Sequence, residues 1–434
     1  MSSPFVGLAG FALALLLVLL RVPVAIAMGT VGVAGFALLN GWAAVGFVLG
    51  SAPFEATFPY TLSVVPLFLA MGVFAAHAGL SGSLYRGVNA FVGHFRGGLA
   101  MASIGACAGF GAICGSSLAT AATMARVALP EMRRHGYADS LASAAIAAGG
   151  TLGVLIPPSI LLVIYALLTE QSIGALFAAA LLPGLLGTFL YMAAVWVQVR
   201  LRPDLAPAAP RHGWDERLAT LRDIWPVLVL FVVVIGGIYA GLFSPTEAAA
   251  VGAAGAVLLA WARGGLKGGV LRLCVAETAE ITGMIFLILI GSAIFNFFIE
   301  STDLPQLLID AVAGAGLSPL AVLIIAMVFY IVLGCFMDAL SMILLTVPFI
   351  SPLIGSLGYD LVWFGVLLVT VAELGLITPP VGMNLFVIQG VARDLKLETI
   401  VRGVVPFLLA DIVRLVILIA VPALTLWLPG LAGY

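Results

Sequence analysis

Four short stretches carry the candidate chemistry of this chain: Gly115, Ser116 and Ser117; Met337 and Asp338; Pro157 with Pro158; and Pro379 with Pro380. Hydroxyls and a carboxylate are oxygen ligands, suited to a hard cation. Proline has no backbone N–H and its ring collides with the preceding turn, so each Pro-Pro pair breaks the helix that carries it. The broken ends free carbonyl oxygens, which suit a cation, and N–H groups, which suit an anion. Chemistry of both signs is therefore available within a few residues.

Spacing ties the four stretches together. Ser116 precedes Pro157 by forty-one residues, and Asp338 precedes Pro379 by the same forty-one. Leu152 and Gly153 fall on Leu374 and Gly375, and Pro183 follows Pro158 by 25 residues where Pro406 follows Pro380 by 26. This register is an internal repeat.

The elements that position these residues are apolar. Of 434 residues, 63% are hydrophobic and 9% charged, which excludes a soluble globular protein and leaves a multi-pass membrane protein. Helix-length apolar runs lie near 4–20, 22–40, 59–79, 139–168, 172–199, 223–242, 246–262, 279–299, 360–391 and 403–427, about ten full spans. Nothing basic precedes the first and Arg21 follows it, so it reads as a retained span and not a signal peptide. Two more stretches, 98–134 and 318–352, each have two apolar limbs around one of the polar knots. Each reads as a re-entrant hairpin, because the knots lack the basic and aromatic anchors of a membrane surface; the alternative is two full spans with a tight turn, which leaves every later connection on the same side.

With both termini in the periplasm, every Lys and Arg except Arg126 and Arg414 falls in a cytoplasmic connection. The first repeat then enters the membrane from the cytoplasmic side and the second from the periplasmic side. Inverted repeats with broken helices mark secondary transporters, whose sites lie where the repeats meet. The organisation expected is scaffold helices over 1–97, a first repeat over 98–200, a linker and further scaffold over 201–317, and a second repeat over 318–427. Residues 203–223 read as a Pro-rich linker followed by an amphipathic helix on the inner membrane surface.

Irregular backbone in a bilayer persists only where it is buried in protein or lines a wet cavity. Ser116 and Ser117 are expected to face the break at 153–157, and Asp338 the break at 375–378. An acid in a membrane segment costs about 2.5 kcal/mol or more unless compensated. A bound cation would compensate Asp338; a helix cap is the compatible alternative. Thr120, Thr123 and Asn384 are candidates to face a substrate. Other polar residues read structurally: Ser244 and Glu247 as a capping box, Asp411 and Arg414 as a pair on one helix face, and Arg126 as a contact to lipid headgroups or water. The four cysteines show no paired spacing. No zinc-protease, nucleophile-elbow or P-loop motif appears, so no enzyme and no cofactor is expected.

The stretches GSSLATAATMARVALPEMRRHGY, GTLGVLIPPSI, GLFSPTEAAAVGA and ITPPVGMNLFV, in this order, resemble the large membrane subunit of TRAP (tripartite ATP-independent periplasmic) transporters. The resemblance runs from the N-terminus to the last span. It implies an all-α fold of scaffold plus moving transport domain, an elevator-type cycle in a bacterial inner membrane, and Na⁺ as coupling ion. It also implies a small four-helix membrane subunit and a periplasmic substrate-binding protein as partners, and a carboxylate such as a C4-dicarboxylate or sialic acid as substrate. Carried onto this sequence, it places Na⁺ near Ser116, Ser117, Gly153, Gly334, Asp338 and Thr378, and substrate near Ser117, Thr120, Pro157, Pro379 and Asn384. The second knot reads MDALSM where many relatives have a proline after the acid, which puts its local geometry outside the pattern. The function expected is sodium-coupled import of an organic acid; the alternative is a stand-alone sodium/anion symporter that needs no binding protein.

Overall fold

The computed structural model describes residues 3–208 and 213–434; Arg211 and the centre of the Pro-rich linker lie outside them. Among the described residues all regular structure is helical. The chain opens with α1 (Ser3–Leu19), α2 (Val24–Asn40), α3 (Trp42–Glu55), α4 (Val64–His77) and α5 (Leu80–Val92). The first repeat follows as α6 (Gly98–Cys114), α7 (Ser117–Arg134), α8 (Asp139–Leu155), α9 (Ile160–Leu168) and α10 (Ile173–Leu201). Between the repeats lie α11 (Trp214–Phe231), a π-helical stretch, α12 (Gly237–Tyr239), α13 (Pro245–Ala262), α14 (Val270–Glu300) and α15 (Leu304–Gly314). The second repeat is α16 (Pro319–Gly334), α17 (Ala339–Ser356), α18 (Leu361–Ile377), α19 (Met383–Val391) and α20 (Leu397–Ala420), and α21 (Ala423–Leu431) closes the chain.

The two repeats share one succession: helix, knot, helix, helix, break, short helix, long helix. Each break falls at its Pro-Pro pair. α8 stops at Leu155 and α9 resumes at Ile160 with a 42° bend, while residues 378–382 separate α18 from α19. At the first knot Gly115 takes a left-handed φ of +63°, which lets α6 end and the chain turn back. Ser116 then sits in extended backbone at the N-cap of α7.

Both hairpins press against their own broken helix through glycine. A Cβ on Gly111 would stand 2.2 Å from the Cα of Gly153, and one on Gly375 would stand 2.5 Å from the Cα of Gly334. Gly153 and Gly375 are repeat equivalents, and Gly111 and Gly334 differ by one position of register. Only paired small residues let helix backbones come this close. The repeats also lock together: α8 packs on α20, and α18 on α10.

Where they meet, polar side chains are fully buried. Arg414 binds Glu373 at 2.8 Å and Asp411 at 2.9 Å, and Tyr191 donates to Asp411 at 2.6 Å. The Thr151 hydroxyl lies 3.3 Å from that of Tyr191. Glu373 falls on Thr151 when Pro379 is laid on Pro157, and Arg414 falls on Tyr191 when Pro406 is laid on Pro183. The cluster therefore occupies equivalent positions of the two repeats. Asp411 and Arg414 do pair as expected, and Glu373 joins them from another helix.

By length and apolarity seven helices can cross a membrane, or eight if the bent pair α8 and α9 counts as one span. Shorter apolar helices coincide with further expected runs, α1 with 4–20 and α2 with 22–40. The amphipathic surface helix expected before 223 is not a separate element. Helix α11 starts at Trp214 with Asp215 and Glu216 in its first turn and runs without a stop into the expected span, because no Gly or Pro intervenes before Pro226. Helix α14 starts at Val270, nine residues earlier than expected, and so carries Glu277 into the bundle. Pro422 splits the expected last span into α20 and α21.

Candidate functional site

A cavity of about 510 Å³ holds both knots. Gly115, Ser116 and Ser117 enter it from the first hairpin, and Asp338, Ala339 and Leu340 from the second. Val154 and Leu376, from the ends of the broken helices, complete this side. The facing wall comes from α4, through Gly72 and His77, and from α14, through Glu277, Ile281 and Met284.

The N-termini of α7 and α17 open at this cavity, so two sets of helix-end N–H groups are presented to it. Each end carries its own cap. Ser116 Oγ accepts from the Ala119 N–H at 3.4 Å, and Asp338 Oδ2 accepts from the Ser341 N–H at 3.0 Å. The cap foreseen as an alternative for Asp338 is present, and the half-buried carboxylate still borders the cavity.

A second layer backs the knots. Asn384, fully buried on α19, donates from Nδ2 to Ser117 Oγ at 2.8 Å and to the Ala147 carbonyl at 3.1 Å, while Ser117 lies 3.0 Å from its Oδ1. This ties the first hairpin to the broken helix of the second repeat. Thr120 is fully buried, and its hydroxyl has no hydrogen-bond partner among the described residues beyond the weak thiol of Cys114 beside it. That hydroxyl and the Ser116 carbonyl both converge on Gly153: they would stand 3.0 and 3.5 Å from a Cβ placed there. At the second repeat the Gly382 N–H donates to the Cys335 carbonyl at 3.3 Å, joining knot to break.

The sequence candidates thus separate into layers. Ser116, Ser117, Thr123 and Asp338 line the cavity. Thr120, Gly153 and Asn384 stand behind them. Gly334 is taken up by its contact with Gly375, Thr378 donates its hydroxyl to the Leu374 carbonyl, and neither Pro157 nor Pro379 borders the cavity. Two charged residues were not expected there. Arg126 lines the cavity rather than meeting headgroups alone, since Ala119, Ala122, Thr123 and Arg126 recur at helical spacing down one face of α7. Glu277 faces it from α14.

At the far end of α7, Arg133 binds Asp139 through two hydrogen bonds of 2.7 and 3.2 Å and Asp394 at 2.7 Å. The Arg133 guanidinium holds the Asp394 carboxyl below its ordinary range. This clamp joins the first hairpin to the segment after α19.

The fold and cavity define a multi-pass helical membrane protein whose two broken-helix repeats bring their polar knots to one cavity. Over residues 11–424 the chain matches the family described as "Tripartite ATP-independent periplasmic transporter, DctM component". It is 37% identical over 381 residues to the "C4-dicarboxylate TRAP transporter large permease protein DctM" of Pseudomonas aeruginosa, covering 88% of each chain. It is 33% identical over 426 residues to the "Isethionate TRAP transporter permease protein DctMQ" of Oleidesulfovibrio alaskensis, covering 96% of this chain and 65% of that protein. The fold is similar to the crystal structure of the Alcanivorax borkumensis YdaH transporter, with a TM-score of 0.61, 14% identity, and coverage of 100% of this chain and 98% of that one. The chain belongs to the DctM-component family, as a large membrane subunit of a TRAP transporter, and is a transport protein rather than an enzyme.

Proposed function

We propose that this subunit imports an organic acid together with Na⁺, the acid being delivered by a periplasmic binding protein and the subunit working beside a small membrane partner. The observation that carries the reading is the convergence of both hairpin knots on one cavity, with scaffold helices α4 and α14 as the opposite wall. One Na⁺ is held by oxygens at Ser116, Ser117, Thr120 and the 153–157 break, where a buried hydroxyl without a strong partner and a backbone carbonyl converge. A second is held by Asp338 with the backbone around Gly334 and Thr378. The acid lies against the N-terminal turns of α7 and α17 and against the bound cations. The hairpins and broken helices move as one body past α4 and α14, which exchanges the side to which the cavity opens.

Relatives named for a C4-dicarboxylate and for isethionate support an acid as cargo, and the fused DctMQ relative supports a second membrane component. The test is uptake of radiolabelled acids into proteoliposomes holding the chain and its small partner. Uptake is expected only with an inward Na⁺ gradient and added binding protein. Equal uptake in K⁺ would contradict sodium coupling, and full uptake without binding protein would favour the stand-alone symporter.

A further inference from the structure

We infer that Arg126 is a specificity residue of the cavity, reading a second anionic group on the transported acid; this rests on the organic-acid reading given above. Arg126 lines the cavity that holds both knots and also borders the neighbouring cleft toward Arg133 and Asp394. Its side chain is exposed. It donates from Nε to the Ala122 carbonyl of its own helix at 3.3 Å, and among the described residues no carboxylate lies within 4.0 Å of its guanidinium. An arginine inside a membrane protein ordinarily has a partner. Here the donors that Nε does not use are left for a ligand.

Position along α7 gives the ligand its dimensions. Nine residues separate Ser117 from Arg126, a rise of ~14 Å at ~1.5 Å per residue. Helical side chains lean toward the N-terminus, which brings the guanidinium back by about one turn, or ~5 Å. The remaining ~9 Å suits an acid whose first carboxylate rests on the helix ends at the knots and whose second carboxylate or sulfonate reaches the guanidinium. Thr123, one turn nearer the knots, offers a hydroxyl to the middle of such a ligand. Glu277 on the opposite wall repels the second anion and so keeps it against α7.

The competing account of Arg126 is a counter-charge for Glu277. Both are tested by the thermal stability of the purified full chain with its small partner, in NaCl, titrated with butyrate, succinate, glutarate and adipate. For the wild type, at least one diacid is expected to bind ten-fold or more tighter than butyrate. In R126Q that diacid should lose at least ten-fold in affinity, about 1.4 kcal/mol, while butyrate is unchanged, and R126K should retain part of the preference. The melting midpoint of each variant without acid reports its fold, and R126K serves where R126Q is unstable. Equal diacid affinity in wild type and R126Q, an equal loss of butyrate and diacid affinity in R126Q, or equal affinity of butyrate and every diacid for the wild type would each overturn the inference. Binding of none of the four acids by wild type in NaCl would overturn this inference, while the organic-acid reading stands or falls on the uptake assay above.

Discussion

Ser117 and Asn384 show how the site is held at the scale of single residues. They are separated by more than 260 positions yet exchange hydrogen bonds in a fully buried setting. Replacing Asn384 with Leu would leave the buried Ser117 hydroxyl without its partner. Buried polar groups so orphaned cost about 1–3 kcal/mol each, so N384L is expected to lower the melting temperature measurably and to weaken acid binding. A variant that melts with the wild type would remove the backing role of Asn384. Ser116, Ser117 and Asp338 were legible in the sequence because polar groups stand out in apolar runs. Arg126 was legible only in part: its spacing gave the distance from the knot but not the face of α7 it occupies. Glu373 was missed, since its partner Arg414 lies forty-one residues on and only packing brings them together.

Among the elements, the two Pro-Pro pairs gave both breaks correctly, because proline's effect on a helix is local. The glycine contacts that bind each hairpin to its broken helix were hidden. Gly153 and Gly375 appeared only as repeat landmarks, and nothing in the chain announced Gly111 as the partner surface. A valine at 111 would drive its side chain into the Gly153 backbone, where no side chain can swing aside. Overpacking of this kind typically costs about 1–3 kcal/mol, and G111V is expected to separate α6 from α8 and abolish uptake while an alanine at exposed Gly46, with open space around its Cβ, changes neither stability nor uptake. Hydrogen exchange across α6 and α8 would read the separation. Unchanged exchange and full uptake in G111V would show that the close approach is dispensable. The helix expected before residue 223 is present but runs on into the following span, because polarity marks where a helix meets water but not where it ends.

For the whole molecule, the repeat gave the plan and the tertiary contacts gave its purpose. Two copies of one succession, locked by the Glu373, Asp411, Arg414 and Tyr191 cluster and clamped by Arg133, bring knots 222 positions apart in the sequence to one cavity. The ion pairs lie within the second repeat, and the Tyr191 hydroxyl crosses from the first to Asp411; a buried hydrogen bond to a charged group contributes about 1.5–3 kcal/mol, which with the Arg133 clamp joins the two halves of the site. If cation and acid share that cavity, their affinities are linked and the linkage is reciprocal. The most direct test is equilibrium binding of a radiolabelled acid to the purified subunit with its small partner as Na⁺ replaces choline. The acid's affinity is predicted to rise at least ten-fold between zero and saturating Na⁺, about 1.4 kcal/mol of coupling, and to rise less in D338N. An affinity unchanged by Na⁺ would contradict the shared site.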